Sequence, residues 1–219
     1  MHTPTFLSSP VLRRRRAVLL GCFALAIVQT PQVFAQAASN PASAAVRLRG
    51  TIERLSPERL VLRERSGERI EFVLPGNLVM TEVFPVSISD IRDGSFIGVG
   101  AMPQADGTQR AIAVTLFPEA QRGTGEGHRP FNFLPQSTMT NATVAGIASA
   151  PDGRRLKVTY KDGEKTIVVP PDAPVVSMRP GSRDLLVVGA GVTLSAQTID
   201  GKPTATRISA GQNGFTPPY

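Results

Sequence analysis

Five landmarks recur in order along this chain. Gly50, Gly67 and Pro75 are matched by Gly146, Gly163 and Pro171 at a spacing of 96, and Gly94 and Asp106-Gly107 by Gly189 and Asp200-Gly201 after two one-residue deletions. Such a run of matches is hard to obtain by chance, and it predicts two copies of one small unit. Within each copy apolar and polar residues alternate, as in Ile70-Glu71-Phe72 and Leu156-Lys157-Val158-Thr159-Tyr160, the period of a half-buried strand. Ser66-Gly67, Asp106-Gly107, Asp162-Gly163 and Asp200-Gly201 fall where hairpins should close.

These signals predict five strands per copy, near 46–55, 59–65, 69–74, 95–102 and 109–117, then near 142–149, 155–160, 164–170, 190–197 and 203–209. Ser87 to Arg92 and Ser182 to Leu186 are expected to form short helical turns between the third and fourth strands, with Ser or Asp capping them. Five strands with a helical insertion at that place is the order of an oligonucleotide/oligosaccharide-binding (OB-like) barrel. The expected fold is therefore all-β: two tandem five-stranded barrels joined by a Gly/Pro-rich linker, with an antiparallel sandwich as the competing architecture. Gly98 and Gly100 inside a strand mark a bend or a close backbone approach.

The expected division is a signal peptide at 1–35, a disordered lead-in at 36–45, a first barrel at 46–120, a linker at 121–141 and a second barrel at 142–219. The leader reading rests on basic Arg13 to Arg16, apolar Ala17 to Val28 and a small-residue cleavage site at Val33-Phe34-Ala35. Its apolar run is too short for a membrane span, which needs about 20 residues. Release into the periplasm follows as the expectation, by the general route or by a twin-arginine route through Arg15-Arg16; Leu19-Leu20-Gly21-Cys22 bears a faint likeness to a lipoprotein box. No later segment is long and apolar enough to form a transmembrane helix.

Loss of the leader changes the charge. The whole chain carries 24 Lys and Arg against 17 Asp and Glu, and removing the four leader arginines takes the net charge from +7 to +3. That removes the main support for nucleic-acid binding, which needs a dense basic face. The single Cys22 leaves with the leader, and with it any disulfide, thiolate ligand or cysteine nucleophile. With no Trp and aromatics at 5%, the core must be built from Val, Ile, Leu and Ala.

The least repetitive stretch, Arg122 to Val144, is the expected site. Gly123-Thr124-Gly125-Glu126-Gly127 offers a nest of backbone N–H groups for an anion, with Arg122, His128 and Arg129 adding charge. The alternative is a tight glycine passage over the seam between barrels, with Arg122 and Glu126 paired to each other. Neither the dinucleotide nor the P-loop glycine pattern fits, since Pro130 follows and no helix begins. His128 is the only histidine left after export; a zinc or copper site needs three or four donors, so no metal or other cofactor is expected. Phe131 and Phe133 are expected to plug a gap between the units rather than to stack ligands. The hydroxyls of Ser137 to Thr143 lack a nucleophile elbow.

The strand start at Gly50-Thr51-Ile52, the segment Ala101 to Thr108, Phe117-Pro118-Glu119, the run Arg122 to Pro130 and the run Ser137 to Val144 together resemble exported bacterial proteins grouped as domain of unknown function 5666. Some of these carry the label metal ABC transporter permease. The resemblance covers most of the chain after the leader and implies at most a periplasmic accessory part; it brings no catalytic residues. The expected function is an exported, non-catalytic binding or interaction module. Its partner is an envelope protein or small ligand, met at the linker and the groove between barrels. An anion- or metal-handling accessory of a transport system is the alternative.

Overall fold

A computed structural model describes residues 45–219; the expected leader and all but the last residue of the lead-in lie outside the described residues. The strands are β1 (Val46–Leu55), β2 (Arg59–Glu64), β3 (Arg69–Val73), β4 (Val79–Pro85), β5 (Phe96–Pro103), β6 (Gln109–Leu116), β7 (Gly127–Pro130), β8 (Thr138–Ala150), β9 (Gly153–Tyr160), β10 (Gly163–Val169), β11 (Val175–Pro180), β12 (Gly191–Ile199) and β13 (Lys202–Ala210). Three single 3-10 turns, Ile88–Asp90, Glu119–Gln121 and Arg183–Leu185, complete the order, and no described helix is long and apolar enough to cross a membrane. Ten strands fall where the alternation places them. The turn at Ile88–Asp90 has the expected serine cap: Ser87 accepts from the Ser89 N–H, and the Asp90 carboxylate accepts from the Ser87 N–H at 2.8 Å.

Strands β5, β6, β10, β9 and β8 pair in a closed ring, so the fold is all-β with a closed five-stranded barrel. Its interior holds Ile97, Val99, Val114, Leu156, Val158, Ile167 and Val169, all buried. A second circuit runs β1, β2, β3, β13, β12, and its closing seam is the single bridge Thr204↔Val73. Around it Leu60, Leu62, Phe72, Leu194 and Ile208 form a separate core. Burying each such side chain contributes about 1.5–3 kcal/mol.

This pairing corrects the expected division. Neither 46–120 nor 142–219 forms a barrel by itself, because each circuit takes three strands from one segment and two from the other. The exchange happens at β4 and β11, two strands the sequence reading omitted. After β3 the chain does not turn back into its own circuit. Instead β4 runs parallel to β13 and antiparallel to β11, with Val83 opposite Met178 and Glu82 opposite Arg179. Arg179 donates to both carboxylate oxygens of the nearly buried Glu82, at 2.9 and 2.7 Å, and its guanidinium lies 4.7 Å from the Phe84 ring centre. β11 in turn runs parallel to β6.

The landmark glycines separate into two kinds. Gly94 and Gly189 hold φ of 82° and 91°, and their N–H groups donate to Val144 and Ile52 carbonyls at 2.8 Å each. They do one job in two places, joining the start of β5 to β8 and the start of β12 to β1. Gly50 and Gly146 are not equivalent: β1 bulges at Glu53, between Ile52 and Arg54, whereas β8 bulges at Ala145, between Val144 and Gly146. The hairpin between β8 and β9 then extends by three further pairs, to Ala150↔Gly153. Their spacing agrees with the others only because that hairpin is longer.

Candidate functional site

The expected linker is not a free connection. Its β7 pairs with β8 from Gly127↔Asn141 to Pro130↔Thr138, on the edge of β8 that pairs with β9 further along, from Thr143↔Thr159 onward. Beyond it, Ser137 fastens a tight loop: its hydroxyl lies 2.6 Å from the Phe131 carbonyl and 2.7 Å from that of Leu134, and it accepts from the Leu134 N–H at 3.0 Å. The loop sets Phe131 and Phe133 against Tyr219, with ring centres 5.4 and 6.0 Å from it.

Those rings need the strand glycines. A Cβ at Gly100 would stand 3.0 Å from the Tyr219 ring and 3.3 Å from Phe131, and one at Gly98 would stand 2.8 Å from Phe117 and 2.9 Å from Asn141 Oδ1. The close approach expected at these positions is made by aromatic rings and one amide.

The structure disperses the candidate residues. Arg122 is held by Glu119 at 2.6 and 2.7 Å and donates to the Gly94 carbonyl at 2.9 Å. The expected Arg122–Glu126 pair is absent, because Glu119 sits one 3-10 turn before Arg122 while Glu126 accepts the Lys161 N–H at 3.1 Å. Gly123, Gly125 and Gly127 all have positive φ, at 82°, 55° and 127°, which only glycine adopts without strain. The intended anion nest is largely consumed by the turn itself: the Thr124 and Glu126 N–H groups donate to the carbonyls of Gln121 and Gly123. His128 Nδ1 lies 2.8 Å from Thr140 Oγ1, and its ring stacks at 6.5 Å on Tyr160. Partial burial, helped by Lys165, lowers its pKa from the ordinary value, so it stays neutral at neutral pH.

Arg129 alone among these residues faces a cavity. One of its guanidinium nitrogens donates to the Gly125 carbonyl at 2.7 Å, and the residue lines a space of about 300 Å³ shared with Arg47, Gly98, Thr115, Phe117, Phe131, Met139, Asn141, Met178 and Tyr219. The linker at 121–141, which bridges the two segments, contributes to it together with β1, β5, β6, β8, β11 and Tyr219. Asn141, 5% exposed, donates to the Thr124 carbonyl at 2.8 Å, while its Oδ1 is buried without a donor. Buried polar atoms are nearly always paired, so an orphaned acceptor beside a cavity is a feature to explain. Tyr219 contacts the Thr115 hydroxyl at 3.2 Å, and burial raises its phenol pKa, which keeps the group neutral.

Arg47 and Arg129 are in no ion pair, and residues 1–44 contain no Asp or Glu to provide one. Burial lowers the Arg47 pKa; the nearby Tyr219 opposes that and Arg207 adds to it. The residue still reaches solvent, and an arginine so placed remains charged. Next to it, Arg49 and Arg65 lie over Phe133 at 5.2 and 5.0 Å from the ring centre, and Arg49 Nε is buried without an acceptor. Arg47 and Arg49 were missed in the sequence, and Asn141 lay inside the expected stretch without being singled out as a contact. Only the alternation of Arg47 and Arg49 with Val46 and Leu48 placed the two arginines on one face, and nothing local joined that face to residue 141.

Comparison of the chain with protein-family models, with curated proteins and with solved structures found no match to any of them.

Proposed function

We propose that this protein is a non-catalytic binding module of the cell envelope, exported to the periplasm, whose binding surface is the cavity under the bridge. The reading takes the two halves as copies of one unit and the bridge between them as the part that gives the pair a site. The observation that carries it is Asn141 Oδ1, an acceptor buried at the cavity wall with no donor. The resemblance to exported proteins of domain of unknown function 5666 fits this reading and adds no chemistry. In-cell crosslinking from a photoreactive residue placed at Arg129 or Phe131 tests it: a specific adduct supports a partner or ligand at the bridge. Turnover of an envelope substrate that disappears in His128→Ala contradicts the non-catalytic reading.

The accessory reading splits. Its anion half is favoured by the unpaired Arg47 and Arg129 at the cavity. Its metal half has no donor set to act through, since among the described residues no three of His, Cys, Asp and Glu gather.

A further inference from the structure

We infer that the cavity under the bridge takes a small organic oxyanion, a carboxylate or phosphate, that also carries a hydroxyl or amine donor. This inference rests on the binding-module reading and names the ligand class for that site.

Charge decides the first half. Two guanidinium groups, Arg47 and Arg129, reach one cavity and no anionic side chain lines it. The Tyr219 phenol, the one titratable acidic side chain at the wall, is kept neutral by burial. Guanidinium groups match the two-oxygen edge of a carboxylate or phosphate better than any neutral group does. Arg49, which also lies 5.7 Å from the cavity-lining Phe131, and Arg65 beside it on Phe133 add to the positive field on this side of the protein.

Asn141 decides the second half. Oδ1 accepts only, so its partner must be a donor, and a bare oxyanion has none to give. Oδ1 is closed off from solvent beside Gly98, so a ligand hydroxyl or amine that pairs with it must turn the Asn141 amide toward the cavity, and doing so relieves the one unpaired amide oxygen of the site. Size sets the limit. About 300 Å³ lies at the small end of ligand pockets, enough for a molecule the size of one sugar ring. Met139, Met178, Phe117 and Phe131 supply apolar walls for the carbon skeleton.

Calorimetry of the chain with D-glucuronate, glucose 6-phosphate, D-glucose and acetate tests this. The carboxylate and phosphate sugars separate the two sources of oxyanion, glucose lacks the charge and acetate lacks the donor. Saturable binding of glucuronate or glucose 6-phosphate is expected, weakened roughly tenfold or more by Arg47→Gln and by Arg129→Gln, each of which removes a charged hydrogen bond. Arg47 makes no side-chain hydrogen bond to the rest of the described chain, so Arg47→Gln is expected to fold, and its far-ultraviolet spectrum checks that. Glucose binding as tightly as glucuronate, with no response to Arg47→Gln, overturns the anion class and leaves the binding module standing. Acetate equal to glucuronate overturns the role of Asn141. Flat traces from all four probes, with a melting midpoint that inorganic phosphate does not raise, overturn the site itself; the crosslinking experiment then decides the module on its own.

Discussion

The two circuits follow one path and are finished differently. The β5–β6–β10–β9–β8 barrel closes through two residue pairs, Ile167↔Gln109 and Val168↔Arg110, and is filled by Val, Ile, Leu and Ala. The β1–β2–β3–β13–β12 circuit closes through one pair and is filled by larger groups, Phe72, Met80, Leu185 and Leu186 among them. Bulk in the core stands where hydrogen bonds in the seam are fewest. Outside, the difference reverses. The closed barrel is extended by β7 along the edge of β8 and covered by aromatic rings lying on Gly98 and Gly100, whereas the other circuit shows water its arginines and the apolar Leu55, Val187 and Val188. The bridge exists once, so it breaks the likeness of the halves, and the cavity is found on the side it breaks.

This contrast makes unequal demands on substitutions. Phe72→Ala should be the costliest, about 3–5 kcal/mol by urea unfolding, because a large ring leaves a hole beside a seam with little else to hold it. At the corresponding place in the barrel, facing Leu156 as Phe72 faces Leu60, Ile167→Val should cost only about 0.5–1.5 kcal/mol. Equal losses from Phe72→Ala and Ile167→Ala would erase the distinction between the cores. Gly98→Ala comes next, at about 1–3 kcal/mol, since its Cβ must displace Phe117 and Asn141. A harmless Gly98→Ala would show that Phe117 and Asn141 pack loosely on this strand.

The smallest effect is that of His128. Its folded pKa lies below the unfolded value, so its contribution is intact above about pH 6.5 and is lost as pH falls through the lower folded value. Melting midpoints measured across that range should slope down towards acid in the native chain and less so in His128→Gln. Identical slopes would remove the histidine from the account.

Much of this was legible in the sequence, in a particular way. Alternation located ten strands and both connecting turns, because each is a local pattern that one buried face imposes on neighbouring residues. What alternation does not carry is which strand pairs with which. β3 followed by Pro75-Gly76 reads alike whether the chain turns back or crosses over, so the tandem arrangement and the exchanged one share a sequence signature. β4 and β11 were missed for a related reason: Val175 to Pro180 is short and bounded by prolines, and its partner lies across the molecule. The site was half legible. The glycine run drew attention to Arg129, but its nest is spent on its own turn, and Arg47 comes to the site on a strand paired with β12, at Arg47↔Ser195, which no local pattern announces.

The exchange of strands between halves is the central claim, and splitting the chain tests it most directly. Fragments 45–120 and 138–219, produced separately and together, should behave as two pieces of one fold: neither unfolds cooperatively alone, and the two co-purify as a one-to-one complex with the strand spectrum of the intact chain. Two independently folded monomers that ignore each other would contradict it.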